Sequence, residues 1–406
     1  MLVKPEEVGL SSPRLARIGE HFQRYVDGGK LAGTLTLIAR RGKIAYLEPQ
    51  GHLEIERRRP MTPDAVFRIY SMTKPITSVG LMMLYEQGRF QLDDPVHRFI
   101  PSWRDLQVFV SGNHPVFKTT PVERPMTVRD LLSHTSGLTY GFMERTNVDA
   151  AYRKLGVAER TKPGYTLRDM VDTLATLPLE FSPGTRWNYS VSTDVLGHLI
   201  EVLSGQRLDA YLREHVLQPL GMRDTSFVID PAQVPRFSAN YQRLADGRLA
   251  LLDDPAQSQY REGSFFSGGG GLVSTAPDYF RFTAMLRNQG ELDGIRLLGR
   301  KTVELMTMNH LPGGRDLTDL AQAGMFTETA YAGVGFGLGF SVMQSPARAH
   351  ILGTPGEFAW GGAASTAFWI DPAEDLIVIF MTQLMPSSSY PLRRELRVLT
   401  YGALID

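Results

Sequence analysis

The chain has 406 residues, with 43 basic and 43 acidic side chains for a formal net charge of zero, and 43% apolar residues. That length supplies two or three domain-sized cores, and the near-average composition excludes wholesale disorder. No long run of like charges appears, so nothing suggests a nucleic-acid groove or a polybasic membrane anchor. The lack of cysteine excludes disulfides, thiolate metal sites and a cysteine nucleophile.

Met1 to Glu7 lacks the basic-then-apolar layout of a signal peptide, so a cytoplasmic protein is expected. Ser12-Pro13 followed by Leu15, Ile18, Phe22 and Tyr25 has the cap, first-turn proline and apolar spacing of a first helix. Thr34–Ala39 and Ile44–Leu47 are β-rich runs joined at Arg41-Gly42, which predicts a hairpin. The short basic patch Glu56-Arg57-Arg58-Arg59 reads as a solvated turn or strand end. Thr127-x-x-Asp130 and Thr166-x-x-Asp169 resemble capping boxes, and Thr193–Leu203 is strongly helical. Thr275-x-x-Asp278 opens another helix after the glycine run Gly268–Gly271. Phe336–Val342, Ala364–Ile370 and Leu376–Met381 read as strands, with a helix from about Pro391. No apolar run is long enough to span a membrane. Strands at both ends with helices between them predict an α/β domain built from both termini, residues 1–70 and 265–406. A mostly helical domain, residues 71–264, is inserted in it, with the active site at the interface. Long loops are expected at 113–123 and 312–332, where they shape substrate access.

The chemistry concentrates at Phe67-Arg68-Ile69-Tyr70-Ser71-Met72-Thr73-Lys74. A serine hydroxyl is a poor nucleophile without a neighbouring base. Residues three apart share a helix face, so Lys74 can serve Ser71 if the serine opens a helix. Extended Val66–Ile69 before it, Pro75 in the first turns and apolar Val79, Leu81, Met82 and Leu84 after it support that placement. An ammonium packed in such surroundings loses hydration and its pKa falls. Ser-x-x-Lys alone is weak, since a chain of this composition yields roughly half a match by chance. Two further segments raise its weight. Pro183–Ser190 leads Tyr189 into a helix on a short loop. Trp360-Gly361-Gly362-Ala363 opens a strand whose paired glycines let backbone approach a ligand and complete an oxyanion hole.

With these motifs in order, the chain resembles the serine β-lactamase and penicillin-binding-protein superfamily, most of all its family VIII carboxylesterases. Leu131–Leu138, Phe181–Gly184 and Gly268–Thr275 extend the resemblance over nearly the whole length. It implies a β-lactamase-like fold: an antiparallel sheet flanked by helices with an inserted helical domain. It also implies Ser71 as nucleophile, Lys74 as its base partner and Tyr189 as the second proton-transfer group. Trp360-Gly361-Gly362 stands in the place of the lactamase Lys-Thr-Gly strand, and the Ala363 and Ser71 N–H groups form the oxyanion hole. Two departures matter: Val191 replaces an asparagine and Trp360 a lysine. Both favour esters over β-lactams.

The expectation is therefore a carboxylesterase for short-chain acyl esters. A β-lactamase, a D-amino-acid peptidase, a transesterase or a non-catalytic binding protein of the same fold are the alternatives. No metal, cofactor, nucleic acid or membrane partner is expected. His134 invites a Ser-His-Asp reading, yet its Ser-His-Thr-Ser-Gly setting fits a structural hydrogen bond at a helix end. Tyr140, Phe142, Phe265 and Phe266 lie on loops beside the motifs, where an acyl pocket and ordinary packing are equally compatible.

Overall fold

The side chains of Leu35-Thr36-Leu37-Ile38-Ala39 point alternately to two covered faces, and this alternation organises the molecule. In the computed structural model, which describes residues 2–321 and 332–406, eight strands form one antiparallel sheet. Their order is Val334–Phe336, Ser341–Met343, Phe358–Gly361, Ala367–Asp371, Leu376–Met381, Gly33–Arg40, Lys43–Glu54 and Arg59–Pro60. The two ends of the chain meet at the seam where Leu37 stands opposite Ile379. The hairpin after Gly33–Arg40 turns at Arg41 and Gly42, with φ of 53° and 74°, the left-handed pair that matches strand twist.

One face of the sheet, through Leu35, Leu37, Phe368, Ile370, Ile377 and Ile379, packs on Tyr279, Phe282 and Met285 of the helix Ala276–Arg287. The other, through Ile38, Trp369, Val378 and Phe380, packs on the helices Ser12–Asp27 and Leu392–Tyr401. Both faces are covered, so Leu376–Met381 is an unbroken apolar run even though the sheet is antiparallel.

The helix Thr73–Glu86 is largely apolar and buried on nearly every side. It packs against Ser192–Ser204 and Leu208–Leu212, with Gly80 leaving room for Leu212. No described helix is long and apolar enough to cross a membrane.

Two expectations change. Phe336–Val342 is a tight hairpin rather than one strand, because Gly339 at φ 101° turns the chain. The expected loop at 113–123 is largely strand: Gln107–Asn113 pairs with Val116–Pro121, as their β-branched and aromatic content favours. Of the expected loop at 312–332, residues 322–331 lie outside the described residues.

Candidate active site

The strand Val66–Arg68 pairs with Val273–Thr275 and then stops abruptly. Tyr70 takes φ 42°, a left-handed conformation that costs an aromatic residue about 1–3 kcal/mol. Ser71 follows inside a single 3-10 turn, Tyr70–Met72, that runs directly into the helix Thr73–Glu86. The surroundings hold this turn firmly. The Tyr70 hydroxyl accepts from Asn240 Nδ2 at 2.9 Å, and its ring meets Tyr260 edge-on at 6.4 Å. Just upstream, the fully buried Arg68 donates to Asp253 at 2.6 Å and lies 3.9 Å from the Phe237 ring centre.

Ser71 Oγ accepts two hydrogen bonds, from the Tyr189 hydroxyl at 2.5 Å and from Lys74 Nζ at 3.3 Å. Lys74 also donates to the Gly269 carbonyl at 2.7 Å and lies over the Tyr189 ring, 4.4 Å from its centre. Burial pulls the Lys74 ammonium down to about 7, while the Asp194 carboxylate pulls the other way. Burial pushes the Tyr189 hydroxyl up, against opposing hydrogen bonds to Ser71 and Trp360. The lysine is therefore the group that loses its proton near neutrality, and the tyrosine stays a phenol.

Tyr189 is held by its two buried neighbours. Asn188 donates to the Leu138 carbonyl and to Glu180 at 2.9 and 3.0 Å. Ser190 links to Ser192 at 2.7 Å and to His134 Nδ1 at 3.2 Å. His134 ends its helix at φ 57°, packs its ring 5.1 Å from that of Tyr189, and bonds to Ser190 rather than Ser71. Burial holds its pKa well below the usual imidazole value. The Ser-His-Asp arrangement is absent at Ser71, whose described partners are Tyr189 and Lys74.

The strand Phe358–Gly361 brings Trp360, Gly361, Gly362 and Ala363 to the same cavity as Ser71 and Tyr189. The paired glycines are needed, though for protein neighbours rather than a ligand. A Cβ at Gly362 would lie 2.5 Å from the Ile69 carbonyl, and one at Gly361 2.5 Å from the Arg393 guanidinium. Among the described residues, neither the Ser71 nor the Ala363 N–H has a hydrogen-bond acceptor. The cavity itself measures about 590 Å³. Tyr140, Phe142 and Phe265 line it, whereas Phe266 packs edge-on against Phe227 elsewhere. Phe142 stacks on Tyr140 at 4.6 Å and is 56% exposed, which makes it a rim residue.

The chain matches the Beta-lactamase family over residues 18–402. It belongs to that family. It is 36% identical over 372 residues to Protein Rv1367c of Mycobacterium tuberculosis, covering 91% of this chain and 90% of that one. It is 32% identical over 415 residues to Esterase EstB of Burkholderia gladioli, covering 95% of each. Among solved structures it resembles EstCE1, a hydrolase with promiscuous acyltransferase activity. That likeness has a TM-score of 0.78 at 26% identity, over 96% of this chain and 99% of the other.

Within this β-lactamase-like fold, the two departures have a visible form. Val191 is a fully buried aliphatic side chain. Trp360 lays its indole 5.5 Å from the Tyr189 ring and 5.2 Å from Phe336. The strand itself brings no cation, but the helix Leu392–Tyr401 does: Arg393 donates to the Gly362 and Thr366 carbonyls at 2.9 and 2.8 Å. Sequence reasoning missed Arg393, Asp194, Tyr70 and Arg160, all of which line the cavity. Arg393 carries no local signal. Asp194 had one, a carboxylate in a helix's first turn five residues after the tyrosine, but that is also an ordinary dipole-complementing position.

Proposed function

We propose that the protein is a serine carboxylesterase of the family VIII kind that forms an acyl-enzyme at Ser71. The observation that carries this reading is the convergence of the Lys74 amine, poised near 7, and the Tyr189 phenol on one serine oxygen. With Lys74 neutral, the Ser71 hydroxyl gives its proton to Nζ as Oγ attacks the ester carbonyl. The developing oxyanion rests on the Ser71 and Ala363 N–H groups, two donors with no other described acceptor. Tyr189, kept protonated by burial, hands a proton to the departing alkoxide, and the Lys74 ammonium returns one to the tyrosinate. Water then repeats the sequence to release the acid.

A second reading, transfer of the acyl group to an alcohol, is favoured by the size of the site. A cavity of about 590 Å³ falls in the range that holds drug-sized ligands, more than a short acyl chain fills. A short acyl group on a bulky, partly aromatic alcohol fits both the volume and the walls of Tyr140, Phe142 and Phe265. The same site leaves weak β-lactam hydrolysis as a minor activity.

Purified protein given p-nitrophenyl esters of increasing chain length, a chromogenic cephalosporin and an alcohol acceptor separates these readings. Ester turnover that vanishes in Ser71→Ala is the expected result. Full activity in Ser71→Ala sinks the reading, and a cephalosporin rate matching the ester rate replaces it with a β-lactamase.

A further inference from the structure

Asp194 is a fully buried carboxylate in the wall of this cavity that no step of the acyl transfer uses. It stands in the first turn of the helix Ser192–Ser204. Its Oδ1 accepts the Ser267 hydroxyl and, at 3.0 Å, the Gly269 N–H. The carbonyl of that same Gly269 accepts Lys74 Nζ at 2.7 Å. A Cβ on residue 269 would come 2.5 Å from Asp194 Oδ2 and 3.0 Å from the Tyr140 hydroxyl. Glycine there is what lets the carboxylate close on the turn that grips the lysine.

The charges around Lys74 are few. Tyr140 and Tyr189 present ring faces at 5.3 and 4.4 Å, and burial keeps both as neutral phenols. His134, from the turn after the helix Val128–Leu132, is neutral by burial. Arg393, from the C-terminal helix, acts on Tyr189. Among these groups only Asp194 is negative. A neutral amide would accept from Ser267 and Gly269 equally well and would be cheaper to bury. The carboxylate differs from such an amide in its charge.

We propose that Asp194 is a positioning residue for the reaction: it fixes the Gly269 turn that clamps Lys74 and supplies the counter-charge to the Lys74 ammonium. Burial alone would drive Lys74 further down, leaving a weaker base with no acid form to return the proton to Tyr189. Burial raises the Asp194 carboxyl, and the opposing pull of Lys74 that lowers it is the reciprocal of the same interaction. This inference rests on the acyl-enzyme reading above.

The test compares kcat/KM for p-nitrophenyl butyrate across about pH 5 to 9 in the wild type, Asp194→Asn and Ser267→Ala. Asp194→Asn keeps an acceptor for Gly269 but loses the charge. It should move the acid limb to lower pH by about one unit, a tenfold change in the proton equilibrium of the base. Ser267→Ala removes one hydrogen bond and keeps the charge, so its limb should stay in place. An unmoved limb in Asp194→Asn overturns the proposal, as does an equal shift in Ser267→Ala. Should Asp194→Asn not fold, Asp194→Glu takes its place: the charge is kept and displaced, the limb stays within half a unit of wild type, and kcat falls. A limb displaced as far as a full unit in that variant overturns the proposal. A wild type without Ser71-dependent turnover would instead reject the esterase reading. The pH dependence of fluorophosphonate labelling of Ser71 would then still report on Asp194.

Discussion

Two buried cations flank the Ser71 turn, Arg68 three residues before Ser71 and Lys74 three residues after it, and they are built in opposite ways. Arg68 meets a carboxylate at 2.6 Å, a backbone carbonyl and an aromatic face. Lys74 is equally buried, but a glycine carbonyl and the serine itself are its hydrogen-bond partners, and Asp194 acts on it from further off. A guanidinium that is fully paired keeps its charge and anchors the strand end. An ammonium left partly uncompensated can give its charge up. On the proposed mechanism one cation serves position and the other chemistry, and the difference lies in the partners rather than in depth.

The contrast can be broken by replacing each cation with methionine. Lys74→Met should abolish ester turnover by about 10⁴-fold or more while leaving Tm unchanged or higher, because an expensive buried charge is removed. The folded pKa of about 7 lies below the ordinary lysine value of 10.5. Below pH 7 both states are protonated and the native state carries the full cost. As pH rises from about 7 to 10.5, the native lysine releases its proton first, so stability climbs. Urea unfolding across that window should show the climb in the wild type and lose it in Lys74→Met.

Arg68→Met should do the reverse, costing about 3–5 kcal/mol of stability because Asp253 and the Ser238 carbonyl lose their donor. Thermal unfolding reads this directly, and a variant as stable as wild type would end the distinction between the two cations. The glycine pair offers a smaller and sharper test. Gly362→Ala drives a Cβ against the Ile69 backbone beside the Ser71 turn, whereas Gly361→Ala meets the flexible end of Arg393. Gly362→Ala should lower kcat by about 100-fold, since a displacement of about 1 Å costs that much, and Gly361→Ala should lose only a few-fold. Equal losses would mean that the glycines serve the ligand rather than the protein. The mildest perturbation is that of pH on the wild type. kcat/KM should be half-maximal near pH 7 and fall about tenfold per unit below it, as the Lys74 ammonium forms.

Much of this molecule is legible in short stretches of chain. The Arg41-Gly42 hairpin, the strand Leu376–Met381 and the capping boxes at Thr127 and Thr166 formed as their local patterns require, because turn chemistry and period-two burial act over a few residues. Ser71, Tyr189 and Trp360-Gly361-Gly362-Ala363 could be named for a similar reason: each sits at a turn with its own signature. The hairpin at Gln107–Pro121 was harder, since its partner strand is short and largely exposed.

What the sequence could not contain is the set of partners brought from far along the chain. The Ser71-to-Lys74 spacing is a property of one helix turn and follows from the sequence alone. Whether that lysine can act as a base depends on Gly269, Tyr189 and Asp194 closing over it, and whether the strand Phe358–Gly361 can approach Ser71 depends on Ile69 and Arg393. A pKa is set by the dielectric and the charges that surround a group, and those exist only once distant segments have packed. Sequence determined which residues could react. Tertiary structure decided which of them holds the proton.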